Sequence, residues 1–242
     1  MERFRAKVAL ALAAAFATGL IAAVASFGQG PSIPLPPDIR MTLSAEPAPI
    51  PVPSEGRIPV SLRLATSIST DAGSHPAPAT RILFEFDRQF QLTLAGLPNC
   101  SQAAFGPRTA RSPCEEVRFA SGRSIWEVAF PGQEPTQVEG RTIAYKIGPR
   151  RMAFRVFLPA PVTAEVLIPV AVKKAPTGSV YGLGATAVIP KVAGGYGSLL
   201  RLGLRFRKGV FSLACPKRRF QASATATLVD GTRLSMATVT TC

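Results

Sequence analysis

His75 is the only histidine in the chain, so any imidazole chemistry has to run through it. A nucleophile needs its hydroxyl on the ring nitrogen of its base. Ser74 is adjacent, but neighbouring residues rarely reach that geometry. His75 also sits in a loop before Pro76, and a structural histidine is the expectation. Carboxylates come next, because a glycosidase sets two of them across a cleft. Glu115 and Glu116 are the only adjacent pair, and neighbours on a strand point apart. Glu127, Glu134, Glu139 and Glu165 are scattered. A secreted polysaccharide-acting hydrolase would need carboxylates that only the fold brings together, and it stands as the alternative function. Gly182 to Ala187 matches a dinucleotide fingerprint in letters only, because Pro190 and Gly194–Gly195 forbid the helix that must follow. No catalytic residue, cofactor or enzyme activity is expected.

The cationic residues carry more. The chain has 28 Lys and Arg against 14 Asp and Glu, a net charge of +14. From Val166 onward there are 11 bases and one acid, Asp230, whereas Ser26 to Glu165 holds 14 bases and 12 acids. A field of that sign collects polyanions. The candidates are Lys173 and Lys174 at a strand end, Arg201, Arg205 and Arg207 with Lys208 on another strand, and Lys217, Arg218 and Arg219 at a turn. Arginine holds phosphate or carboxylate with a planar fork. The expected partner is an anionic cell-wall polymer or membrane surface. Phe206, Phe211 and Phe220 read as core or edge, so few aromatics remain to stack bases. Sequence-specific nucleic-acid binding is disfavoured.

Four cysteines remain: Cys100, Cys114, Cys215 and Cys242. An even count in an exported chain reads as disulfides. Local pairing, Cys100–Cys114 and Cys215–Cys242, is favoured among the three pairings the sequence allows. The first closes a 15-residue loop, worth roughly 3 kcal/mol in the loop-entropy model. The second pins the last residue. A metal is not expected, because there is no CxxC pair and only one histidine.

The elements that must position these groups read as strands. Val60, Leu62 and Leu64 alternate, as do Ile82, Phe84 and Phe86, then Phe90, Leu92 and Leu94. The last two sets form one long strand or a hairpin turning near Asp87–Arg88–Gln89. Further strands are expected around 124–130, 141–147, 152–157, 164–172, 178–189, 199–206, 211–215, 221–229 and 233–241. Asp230–Gly231 is a hairpin turn. With 20 Gly and 23 Pro as punctuation, the expected fold is all-β: a disulfide-stapled antiparallel β-sandwich, immunoglobulin-like or built of two stacked subdomains.

The chain opens with Arg3, Arg5 and Lys7, runs uncharged from Val8 to Ala25, and reaches the small-x-small site Ala23–Val24–Ala25. That is a secretory signal peptide with cleavage after Ala25, or an uncleaved anchor. The expected organisation is 1–25 signal, 26–57 Pro-rich tether with a short strand at Met41 to Ser44, and 58–242 β-sandwich. A division into two subdomains near 150–165 stays open. The localisation expected is extracellular or cell-envelope associated.

Several stretches together resemble a family of exported, uncharacterised proteins of soil-dwelling actinobacteria. They are Ile68–Asp71 leading to Gly73–Ser74–His75–Pro76, Phe86–Asp87, Gly96–Leu97–Pro98 before Cys100, and Val128–Pro131. Ile189 to Gly195 with Gly197–Ser198, Cys215–Pro216, and Asp230–Gly231–Thr232 before Cys242 complete the set. The resemblance spans Ile68 to Cys242. It implies an envelope location and a mostly β fold, and it implies no activity and no site residues. One departure is Glu115 to Arg123, where such proteins are usually Gly-rich. The resulting expectation is a non-enzymatic envelope protein that binds anionic polymers through its basic C-terminal half. A structural or protein-partner module is the third reading.

Overall fold

The structure is a computed structural model, and it describes residues 39–71, 74–100, 114 and 117–242. The signal-peptide reading falls on residues 1–25, which lie outside that set. Strands form where large apolar residues alternate with small or polar ones, as sheets with one buried face require. The strands are β1 (Ile39–Ala48), β2 (Ile58–Thr70), β3 (Ala79–Asp87), β4 (Phe90–Leu92), β5 (Ala120–Val128) and β6 (Thr136–Gly148). They continue with β7 (Arg151–Leu158), β8 (Ala164–Lys174), β9 (Tyr181–Val188), β10 (Gly197–Leu213), β11 (Arg219–Leu228) and β12 (Arg233–Thr241). Among the described residues no helix is long and apolar enough to cross a membrane.

All pairings are antiparallel, in the order β1-β2-β10-β5-β6-β7-β8-β9-β3-β11-β12, with β4 added beside β10. The antiparallel all-β expectation holds, with a difference in shape. There are not two stacked sheets but one sheet curled almost into a barrel. Nor does the chain divide near 150–165, because β6, β7 and β8 pair in sequence through that span. The seam lies between β1 and β12, where Thr240 Oγ1 donates to the Ala45 carbonyl at 2.9 Å. Backbone bonds from Val52 N to Cys242 O (2.7 Å) and from Cys215 N to Pro53 O (2.8 Å) close its lower part.

The described fold begins with β1 at Ile39, well inside the expected tether. The strand anticipated at Met41 to Ser44 extends to Ala48, paired with β2 from Ile39↔Thr70 to Ala48↔Ser61. Pro47 is tolerated because β1 is an edge of the backbone ladder. The prolines after it line the seam rather than a spacer.

Residue size explains why the interior fills. On β3, Ile82, Phe84 and Phe86 point inward and are buried. Their cross-strand neighbours on β11 are Ala226, Ala224 and Ala222, and on β9 Ala187 and Ala185 lie beside Ile82 and Phe84. Large residues between rows of alanine let opposite walls approach and interdigitate at native density. At one end the chain turns at Arg88–Gln89 from β3 into β4, which leaves the partners of β3 and pairs with β10. Phe90 packs against Phe86 (4.9 Å between centroids), Phe211 (4.5 Å) and Phe220 (5.3 Å) and plugs that end. The expected strands at 199–206 and 211–215 are one strand, β10, joined through a register shift between Phe206 and Phe211. Gly209, at φ 93°, takes the left-handed conformation there that a side chain would resist.

Both disulfides pair as favoured, Cys100–Cys114 and Cys215–Cys242, with Cα atoms 5.5 Å and 6.3 Å apart. Such bridges persist in an oxidising compartment. Cys100 and Cys114 pack with Ile143 and Tyr145 in a second apolar cluster on the outer wall, against Phe157. Beside it Arg155 is buried and held by Glu165 through two bonds of 2.7 Å and 2.8 Å. Those bonds raise its pKa above the ordinary guanidinium value. Arg155 also lies over the Phe157 ring at 4.6 Å, so it is a structural cation.

Candidate polyanion-binding site

Antiparallel hairpins alternate their turns between the two ends of a barrel. The end plugged by Phe90 collects the segment before β2, the β3–β4 turn, the β6–β7 turn, the end of β8 and the segment from β10 to β11. Those segments carry Arg57, Arg88, Arg150, Lys173, Lys174, Lys217 and Arg219. A cavity of about 630 Å³ opens there, lined by the first five of these with Gln91, Thr93 and an apolar floor of Leu92, Leu183 and Phe90. No carboxylate is among its described lining residues. None of the five pairs with a carboxylate among the described residues.

Backbone carbonyls position two of the guanidinium groups. Arg57 Nε donates to Gln89 O at 3.2 Å, and Arg88 Nε donates to Ser179 O. Carbonyls orient these cations without neutralising them. The Asp87 carboxylate is engaged in the β3–β4 turn itself, accepting the Gln89 N–H at 2.9 Å. Five like charges around a concave surface with low-dielectric walls focus a positive potential into it. A second cavity of about 500 Å³ lies on the other side of the β3–β4 turn, lined by Arg88, Lys217, Arg219, Asp87, Gln89, Gln221 and Val239, among others.

The nine basic residues expected to act together are split. Lys173 and Lys174 line the first cavity, and Lys217 and Arg219 line the second. Arg218 is exposed in the turn beside the second disulfide, where Cys242 N donates to its carbonyl at 3.3 Å. Arg201 and Arg205 project from the outer wall of β10, Arg205 opposite Arg63 of β2. Arg207 and Lys208 stand at the β10 bulge, with the Arg207 guanidinium on the Arg118 carbonyl. β8 and β10 are separated by β5, β6 and β7, so no single stripe joins them. Sequence reasoning missed Arg57, Arg88 and Arg150. Their signal was position, since each stands at or next to a turn on the same end.

The other end holds a second cluster that no local motif announced. Glu127 and Ser198 are directly opposed on β5 and β10, and His75 lies over both. His75 Nδ1 is 2.8 Å from Glu127 Oε1, and Nε2 is 3.1 Å from Ser198 Oγ. Gln137 donates to Glu127 Oε2 at 3.0 Å. Hydroxyl, imidazole and carboxylate are thus in triad order. The proton runs the wrong way for a nucleophile, however. The Pro76 carbonyl can only accept, and at 2.7 Å it takes the Ser198 hydroxyl proton. The one hydroxyl proton of Ser198 is thus directed at Pro76 and not at the ring nitrogen. Ser198 is also 1% exposed. The cluster straps the segment between β2 and β3 onto the outer wall, which agrees with a structural His75, although the hydroxyl is that of Ser198 and not Ser74. His75→Ala should lower stability by about 1–3 kcal/mol in a thermal melt, because it strips a partner from two largely buried groups. It should leave anion binding unchanged, since the strap and the cationic cavities occupy opposite ends.

Three of the scattered carboxylates are each held by a basic or imidazole partner. Glu139 pairs with Arg123 at 2.7 Å, Glu165 with Arg155, and Glu127 with His75. Glu115 and Glu116 lie outside the described residues. Fold and site together define a disulfide-bearing, nearly closed antiparallel β-barrel with one cationic end. Compared with known proteins, the chain matches no family model, no curated protein and no solved structure.

Proposed function

We propose that this protein is an exported, non-enzymatic envelope component that binds anionic wall or surface polymers through the cationic end of its barrel. The observation that carries the reading is the first cavity, where Arg57, Arg88, Arg150, Lys173 and Lys174 converge without a carboxylate among the described lining residues. Two disulfides suit an oxidising compartment. The basic, apolar and small-x-small order of the first 25 residues supports export. Outside a cell the abundant polyanions are wall polymers, acidic polysaccharides and lipid headgroups. The resemblance to exported actinobacterial proteins agrees with that setting.

The test is co-sedimentation of the oxidised protein with purified cell-wall sacculi across a salt series, with and without the anionic polymers stripped. Binding should depend on those polymers and fall steeply with salt, because the contacts are screened charges. Equal binding to stripped sacculi, or none at physiological salt, would remove the reading.

A further inference from the structure

Arg88 lines both cavities. The two are therefore neighbours, on either side of the turn from β3 into β4. We infer that the ligand is a linear polymer of repeating oxyanions, long enough to occupy both cavities at once. This deepens the proposed anion binding and rests on it.

Charge is the first reason. Seven cations line the two neighbouring cavities: Arg57, Arg88, Arg150, Lys173, Lys174, Lys217 and Arg219. Among the described lining residues one carboxylate accompanies them, Asp87, which already accepts a backbone N–H. A single small anion could neutralise only a fraction of that charge at a time. A chain with charge at every repeat meets both groups of cations together.

The lining is the second reason. Polar and apolar groups alternate with the cations: Gln91 and Thr93 beside Leu92 in the first cavity, Gln89 and Gln221 beside Val239 in the second. Such surfaces suit the uncharged linkages between oxyanions. Gln221 is held in place by donating to the Tyr181 hydroxyl at 3.2 Å. The Nε groups of Arg57 and Arg88 are taken by carbonyls, which leaves their terminal Nη groups to fork onto an oxyanion. Linking two sites through one chain turns the second contact into an intramolecular one, so avidity rises without new contacts.

Two sources share this chemistry, phosphate polymers and uronate polymers, and the experiment carries an arm for each. The oxidised protein is titrated with inorganic tripolyphosphate and with long-chain polyphosphate, then with digalacturonate and polygalacturonate. Affinity is compared at equal oxyanion concentration. In at least one arm the long chain should bind about tenfold tighter or more. The arm with the larger gain names the source. Lys217→Ala/Arg219→Ala changes two exposed residues, and it should abolish the gain in affinity with chain length. Equal affinity for short and long chains overturns the two-cavity ligand and leaves the anion site standing. A length gain that survives the double substitution also overturns it. Absence of binding in every arm removes the proposed function as well.

Discussion

Removing the Cys215–Cys242 bridge, as Cys215→Ser/Cys242→Ser, should destabilise the protein by roughly 3–4 kcal/mol. The residues are 27 apart, and that loop size sets the entropy returned to the unfolded chain. For a domain of this length the melting temperature should fall by about 10 °C. The position of the bridge makes the full effect expected. It anchors the last residue, which closes the seam by accepting from Val52 N, while Cys215 N donates to Pro53 O. The seam has no strand ladder between β1 and β12, so these bonds and the Thr240 contact hold two edges that would otherwise be open. Amide hydrogen exchange should rise first in β1 and β12. A loss below about 1 kcal/mol, with unchanged exchange in those strands, would show that the seam closes without the bridge. Cys100–Cys114 covers an outer wall instead, and its removal should leave the seam protected.

Arg150→Gln/Lys173→Gln/Lys174→Gln should weaken binding to an anionic wall polymer by at least about a hundredfold, taking about 1 kcal/mol for each cation removed beside a polyanion. The three residues are exposed at strand ends and turns and carry no ion pair among the described residues, so stability should change little. The slope of affinity against salt should flatten in the same variant, because fewer counterions are released. The direction follows from the cavity having no described carboxylate to offset the loss.

Much of the sheet was legible because alternation is a local property. Val60, Leu62 and Leu64, or Ile82, Phe84 and Phe86, declare a buried face within five residues. Closure was not legible, because it depends on which distant strands become neighbours. The alanines of β11 read as weak strand residues, and only their places beside Phe84 and Phe86 show why they are small. The stretch from Ile39 to Pro53 looked like a tether because proline is judged by its missing N–H, and a strand at the edge of the ladder does not need every donor.

The basic site was half legible. Charge counted along the chain pointed to the C-terminal half and so found Lys173, Lys174, Lys217 and Arg219. Charge collected by an antiparallel barrel depends on which end a turn falls at. That rule adds Arg57, Arg88 and Arg150 from the nearly balanced half and leaves Arg201 and Arg205 on the side wall. His75, Glu127 and Ser198 meet across sequence separations of 52 and 123, beyond the reach of any spacing motif.

The central claim is that the end of the barrel, and not its overall charge, is the working surface. The most direct measurement compares two charge-matched variants for binding to wall sacculi at fixed ionic strength. One is Arg150→Gln/Lys173→Gln/Lys174→Gln at the cavity, and the other is Arg63→Gln/Arg201→Gln/Arg205→Gln on the side wall. The account predicts that the cavity variant loses binding by at least about a hundredfold while the side-wall variant stays within about threefold of the parent. Equal losses in the two variants would contradict it, because the protein would then be held by net charge alone.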